Sequence, residues 1–126
     1  MDKQTLFTEN APRPVGPYSQ AVKCGGLIFL AGQIPIDPAT GVTITLGIHK
    51  ETRLILDHIS NILEAAGSSL QKVVKFTVYL KKIDDARFVN EVFEERDLGG
   101  LPARTTVEVS NLPKNASVEI DAIAEA

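Results

Sequence analysis

Hydrophobic residues recur every three or four positions over 48–66, which predicts an amphipathic helix that Gly67 terminates. Over 74–80 hydrophobic and polar residues alternate instead, and a period of two is typical of a strand with one buried face. A second helix is predicted to begin after an N-cap at Asp84 and to run to about Arg96, because two glycines follow soon afterwards. The central part of the chain is therefore predicted to form a helix, a strand and a second helix.

Further strands are predicted on both sides of this central part. Residues 20–24 and 27–31 form a predicted hairpin that turns at the two glycines between them. The alternation of side chains predicts two more strands, over 104–109 and 118–125. The Thr-rich stretch that follows the proline-rich loop 33–41 is another candidate strand. The loop 10–19, with three prolines, is predicted to be neither helix nor central strand.

This order of elements predicts an α+β domain of two layers, in which both helices cover one face of a single sheet. The other face is expected to carry polar side chains, namely Arg104, Thr106, Glu119, Asp121 and Tyr79. Because they are interleaved with the hydrophobic Ile123, we expect this face to be an oligomer interface that holds a polar site.

The composition limits the class of protein. The chain has 126 residues, of which 44% are hydrophobic and 23% charged, and this size suits one globular domain over residues 1–126. Its net charge of −3 argues against non-specific nucleic-acid binding and favours a small-molecule or protein partner. The lone Cys24, the lack of a secretory leader pattern and the lack of a long apolar stretch predict a cytoplasmic protein without membrane association.

The sequence offers no group of metal ligands or reactive thiol. His49 and His58 are nine residues apart on the first helix and therefore face opposite sides, where both are expected at the surface. Cys24 has no histidine nearby in sequence and is expected to be a buried or half-buried small side chain. We therefore expect neither a metal nor a cofactor.

Seven motifs carry a resemblance to a known family. They are GPYSQA (16–21), AGQIPIDPATG (31–41), EAAG (64–67), FTVYLK (76–81), PARTTVEV (102–109), NLPK (111–114) and VEIDAIA (118–124). In this order and spacing, over nearly the whole chain, they resemble the RidA/YjgF family of small enamine/imine deaminases. The resemblance implies a chorismate-mutase-like fold and a homotrimer around a central β-barrel, with a pocket between neighbouring subunits.

The resemblance also implies the reaction. It is the hydrolysis of 2-aminoacrylate, 2-iminopropanoate and 2-iminobutanoate to 2-keto acids and ammonia, without a cofactor. These imines are released by pyridoxal-phosphate-dependent dehydratases, which gives the protein a functional link to such enzymes. Two other functions remain open at this point: an endoribonuclease or translation inhibitor, and a non-catalytic regulator or chaperone that binds small carboxylates.

Two residues are the candidates for catalysis. Arg104 can bind a substrate carboxylate through two parallel hydrogen bonds, which a lysine cannot do, and its alternative role is an interface ion pair with Glu119 or with another acid across the trimer. Glu119 can position water and carry a proton, and partial burial would raise its pKa toward the useful range. The resemblance favours Glu119 over Asp121 for this role and assigns the carboxylate to Arg104.

The resemblance implies four further substrate-binding residues, Tyr18, Gly32, Asn90 and Thr106. Tyr18 would supply a hydroxyl and an aromatic wall. Thr106 stands where many bacterial members of the family have a cysteine. If a threonine serves there, the reaction does not depend on a thiolate, and the position contributes backbone groups instead.

Overall fold

The computed structural model describes residues 2–126 and consists of a six-stranded mixed β-sheet with two α-helices packed on one face. The strands are β1 (Gln4–Leu6), β2 (Ala21–Cys24), β3 (Leu27–Gln33), β4 (Val73–Leu80), β5 (Ala103–Glu108) and β6 (Val118–Glu125), and the helices are α1 (Ile48–Ala65) and α2 (Ala86–Glu95). The predicted α+β architecture, with one sheet and two helices on one face, is confirmed.

The strands lie in the order β1-β2-β3-β6-β4-β5. All neighbours are antiparallel except β4 and β5, which are parallel and are connected through α2. Parallel neighbours require such a crossover because the chain must return to the same end of the sheet. β5 is left as an edge strand, and most of its side chains are exposed.

The face under the helices forms the main core, with Phe76, Val78 and Leu80 of β4 fully buried. Hydrogen-bonded neighbours in register share a face, and Phe76 pairs with Arg104 whereas Tyr79 pairs with Glu119. The prediction of one shared polar face is therefore wrong for Arg104 and Thr106, which lie on the helix side. Glu119, Asp121, Tyr79 and Ile123 do share the opposite face.

Helix α1 buries a wide face because both the sheet and the loop after β3 pack against it. Gly67 adopts φ +82° just after the helix, and the N–H groups of Gly67 and Ser68 bond to the carbonyls of Glu64 and Leu63. The predicted termination is confirmed. The prediction that His58 lies at the surface is wrong: its ring is buried, and Nε2 lies 2.8 Å from the carbonyl oxygen of Ile36 in that loop. Cys24 is half-buried, as predicted.

Helix α2 begins one residue later than the sequence pattern indicates. Residues 83–85 form a short 3-10 turn, and Asp85 occupies the N-cap position without a side-chain hydrogen bond. The prediction of Asp84 as N-cap is therefore wrong. The Glu108 carboxylate accepts a hydrogen bond of 2.9 Å from the Ile83 N–H, which ties this turn to the end of β5.

The Thr-rich stretch after residue 41 does not form a strand, contrary to the prediction. It makes an isolated bridge between Ile36 and Thr43 and leaves the side chains of Val42 and Leu46 exposed. A turn starting at Asp37, whose carboxylate accepts the Ala39 N–H, folds the stretch back on its own loop. The extra strand of the sheet is β1, at the N-terminal edge.

Candidate functional site

A cleft of about 330 Å³ opens beside the loop 10–19, between that loop and the strands β3 and β6. Its walls are largely apolar, and Arg13 and Glu119 are the charged residues among them. Other lining residues are Pro12, Val15, Tyr18, Gly32, Ile34 and Pro113. A cleft of this size is more than sufficient for an organic acid of three or four carbons.

The loop beside the cleft is held by the buried side chain of Gln20. Its amide oxygen accepts a 2.7 Å hydrogen bond from the Thr8 N–H, and its amide nitrogen donates to the carbonyls of Thr8 at 3.0 Å and Pro12 at 2.9 Å. Prolines lack an N–H, so the loop cannot be fixed by a regular backbone ladder. The sequence analysis missed Gln20, although a glutamine directly before a strand within the GPYSQA motif was the available signal.

Glu119 lies near the start of β6 and points into this cleft. Gly32 of β3 leaves room for it, because a Cβ at Gly32 would lie only 2.8 Å from the Glu119 Cδ. Burial chiefly, and then the negative charge of Asp121, raise the pKa of Glu119 above its ordinary value. Within residues 2–126 no cation forms an ion pair with Glu119. A carboxyl group in this environment is suited to accepting and returning a proton.

Tyr18 forms part of the wall of this cleft. Its N–H donates to the Gly16 carbonyl at 2.9 Å, and its hydroxyl oxygen accepts a hydrogen bond of 3.3 Å from the Val15 N–H. The ring is about half exposed. The phenolic O–H proton is therefore available to a bound ligand.

Arg104 occupies a second and more open depression of about 280 Å³, between α2 and β5. Its guanidinium donates a hydrogen bond to the side-chain oxygen of Asn90 and lies 5.1 Å from the centre of the Phe93 ring. These contacts orient the guanidinium plane and leave donors for a ligand. No carboxylate among residues 2–126 forms an ion pair with Arg104. The sequence analysis did not single out Phe93, although its spacing of three from Asn90 places both on one helix face.

Thr106 lies two residues beyond Arg104 on the same face of β5 and is half-buried. It pairs in register with Val78 of β4. Because β5 is an edge strand, the backbone groups on its outer side have no strand partner within the sheet. Backbone contacts from this position are therefore geometrically possible.

The six candidate residues fall into two groups, the cleft group (Tyr18, Gly32, Glu119) and the edge group (Asn90, Arg104, Thr106). The groups belong to opposite faces of the sheet, and β6 and β4 separate β3 from β5. At about 4.8 Å per strand, β3 and β5 are about 14 Å apart. Arg104 and Glu119 of one chain cannot form an ion pair, because β4 lies between their strands and they are on opposite faces, so the interface ion pair left open above would have to join two copies. One small ligand cannot contact both groups of the same chain.

Across residues 2–126, no three His, Cys, Asp or Glu side chains are grouped so that they could hold a metal ion. Over the same part of the chain, every helix is too short or too polar to span a membrane.

A family model described as endoribonuclease L-PSP matches residues 8–126. The chain belongs to this family. It is the family that the sequence motifs indicated as RidA/YjgF, and that expectation is confirmed. A "RutC family protein" of Pyrococcus horikoshii is 55% identical to this chain over 97% of both chains.

Two relatives from Escherichia coli have descriptions that mention a small molecule. A "2-iminobutanoate/2-iminopropanoate deaminase" is 42% identical and matches over 96% of each chain. The crystal structure of TdcF with bound serine superposes with a TM-score of 0.91, at 35% identity and 98% coverage of each chain. Names within the L-PSP family range from endoribonuclease to imine deaminase, so they do not by themselves determine the reaction of this chain.

Proposed function

We propose that this protein is a homotrimer in which the edge group of one copy faces the cleft group of the next. Each composite site would hydrolyse a 2-imino acid to a 2-keto acid and ammonia, in the cytoplasm. One observation carries the proposal: an oriented arginine and a carboxyl group of raised pKa lie in separate half-sites of one chain, each without a charged partner there. A heterologous contact that closes into a ring would complete every site.

Exposed hydrophobic side chains support the assembly. Leu101 beside Arg104 is 95% exposed, and Phe29 and Val107 are exposed on β3 and β5. Hydrophobic side chains next to a strand edge without a partner are typical of a surface that a further chain covers. Three copies with their sheets around a common barrel would cover these side chains.

Arg104 would bind the substrate carboxylate. Its guanidinium plane is fixed by Asn90 and Phe93, so little side-chain freedom is lost when a ligand binds. Two parallel N–H bonds to the carboxylate would orient the neighbouring imine carbon. Backbone groups at Thr106 and the Tyr18 hydroxyl would complete the polar contacts, while Gly32 keeps the space beside Glu119 open.

Glu119 would act as general base and then as acid. It accepts a proton from water as the water oxygen bonds to C2 of the protonated imine, which gives a carbinolamine. Glu119 then returns the proton to the amine nitrogen. The C–N bond breaks with its electron pair on nitrogen, the hydroxyl proton passes to the departing ammonia, and a 2-keto acid and ammonium result. Each turnover consumes one water molecule and restores Glu119, so the cycle requires no cofactor.

Two relatives support this substrate class. One is named as a 2-iminobutanoate/2-iminopropanoate deaminase. Another has been crystallised with serine, a small acid with the three-carbon skeleton of 2-iminopropanoate. Pyridoxal-phosphate-dependent dehydratases that act on serine or threonine release such imines and would supply the substrate. In the same proposal, nucleic acid and membranes are not partners.

The test is a coupled assay in which a serine or threonine dehydratase generates the imine and the release of 2-keto acid is followed. We expect the protein to accelerate this release. Arg104→Lys should lower both keto-acid binding and turnover at least 10-fold, because the bidentate contact is lost. Glu119→Gln should lower turnover while a bound keto acid is still held, because it removes only the base.

Arg87→Lys and Glu125→Gln are matched controls, since both are exposed residues outside the two groups and should leave the rates unchanged. Ligand binding without any acceleration would favour a regulator. RNA cleavage by the wild type that Glu119→Gln does not affect would contradict the assignment of the site.

A further inference from the structure

A second acidic side chain lies beside Glu119 and has no part in the proposed reaction. Asp121 is two residues further along β6, on the same face and about 7 Å away along the strand, and it is half-buried. Tyr79 of β4 faces Glu119 in register, and its hydroxyl donates a 2.8 Å hydrogen bond to Asp121. Tyr79 thus connects the two acids across the strand pair.

We propose that Asp121 is a positioning residue for the deaminase reaction: its carboxylate, on the same face of β6 as Glu119, acts electrostatically on the proton transfer at Glu119. The inference rests on the proposed function. Asp121 does not need to touch the substrate for this role. It acts through Glu119 alone.

The physical basis is repulsion between like charges at a partly buried position. The ionised form of Glu119 is disfavoured by the charge of Asp121 in addition to burial. The Asp121 carboxylate accepts a hydrogen bond from Tyr79 on the same face of the sheet as Glu119. The same bond raises the pKa of Tyr79 above its ordinary value, so the hydroxyl remains a donor throughout the neutral range.

Other charged or titratable groups border Glu119 from the surrounding elements. They are Arg13 and Tyr18 on the loop, Tyr79 and then Lys81 at the end of β4, Lys114 before β6, and Asp121. Arg13 and Lys81 are engaged elsewhere, because Arg13 bonds to Glu9 at 2.7 Å and Lys81 to Asn115 at 2.7 Å. Arg104 of the next copy would lower the pKa of Glu119, whereas Asp121 raises it. The pKa of Glu119 in the assembled protein is therefore set by the balance of these two charges.

A purely structural role predicts a different result. If the bond between Tyr79 and Asp121 only joined β4 to β6, removing either side chain would lower the free energy of unfolding. The pH dependence of turnover would then stay the same. The acid limb of the pH profile therefore separates the two roles.

The experiment compares pH profiles of kcat/KM for the wild-type trimer and Asp121→Asn, which retains an acceptor for Tyr79. Glu119 must be ionised to act as a base, so kcat/KM falls as pH decreases through its pKa. Loss of the charge at Asp121 lowers that pKa, and we expect the acid limb to move down by about 0.5–1 pH unit. The imine titrates identically with every variant, so the difference isolates the protein group.

Three variants serve as controls. Asp121→Glu keeps the charge and should restore the wild-type limb. Tyr79→Phe leaves the charge of Asp121 in place, so the acid limb of its pH profile should not move to lower pH. Asp84→Asn removes a charge from an exposed position on another element and should shift nothing. If Asp121→Asn does not fold, Asp121→Ser replaces it, and a ¹³C NMR titration of the Glu119 carboxyl measures the pKa without turnover.

The outcomes distinguish this inference from the function on which it rests. An unmoved limb and an unmoved Glu119 titration in both uncharged variants, with Glu119→Gln inactive, would overturn the role of Asp121 and leave the deaminase proposal intact. Full activity of Glu119→Gln would overturn the proposed function itself. A downward shift in Asp121→Asn, with its absence in Tyr79→Phe and Asp84→Asn, is the supporting result.

Discussion

At the scale of single residues, the site depends on what is missing as much as on what is present. Gly32 has no side chain, and the Glu119 carboxyl occupies the space where a Cβ of residue 32 would lie. Burial chiefly raises the pKa of Glu119, and residues 2–126 provide no ion-pair partner for this carboxyl group. A site that works by proton transfer needs this combination of space and poor solvation.

Gly32→Ala tests the first of these points. The added methyl group meets only the flexible end of the Glu119 side chain, and Gly32 has no positive φ, so we expect stability to fall by less than about 1 kcal/mol. Turnover should fall at least 10-fold because Glu119 has to move. Thermal unfolding and the coupled assay measure the two effects.

A double mutant provides the control for Gly32→Ala. If the methyl group acts through Glu119, it should have almost no further effect on turnover in the Glu119→Gln background. Equal losses in both backgrounds would show that Gly32 acts independently of Glu119.

At the scale of elements, the sequence was informative where periodicity is long and one-sided. α1, β4 and β6 have a regular buried face and were predicted at nearly their observed bounds. β1 has only three, mostly exposed residues and gives no pattern to detect. The shared face assigned to Arg104 and Glu119 was wrong because the register of β5 on β4 is set by tertiary packing, and a shift of one residue reverses every face.

The C-terminus of α1 offers a prediction at this scale. A Cβ at Gly67 would meet no atom within 4 Å, so Gly67→Ala changes only the backbone preference at φ +82°. We expect the free energy of unfolding to fall by about 1 kcal/mol, and Gly67→Asn to cost less because asparagine tolerates this conformation better. Chemical denaturation of both variants measures the difference, and an alanine variant as stable as the wild type would contradict it.

At the scale of the whole molecule, the sequence motifs named the site residues but could not show how they meet. The structure divides them between two faces of one sheet, with two strands between the cleft and the edge. In the proposed trimer, the contact between the two groups is a property of the assembly and not of the single chain.

Subunit complementation tests this central claim most directly. Arg104→Ala and Glu119→Gln are co-expressed with different tags, and trimers that carry both tags are isolated. If sites form between copies in a ring, each trimer that carries both tags has about one site in three with both wild-type residues. We predict that mixed trimers recover on the order of a third of wild-type turnover, whereas each variant alone has little. Mixed trimers no more active than the two separate variants would contradict the account.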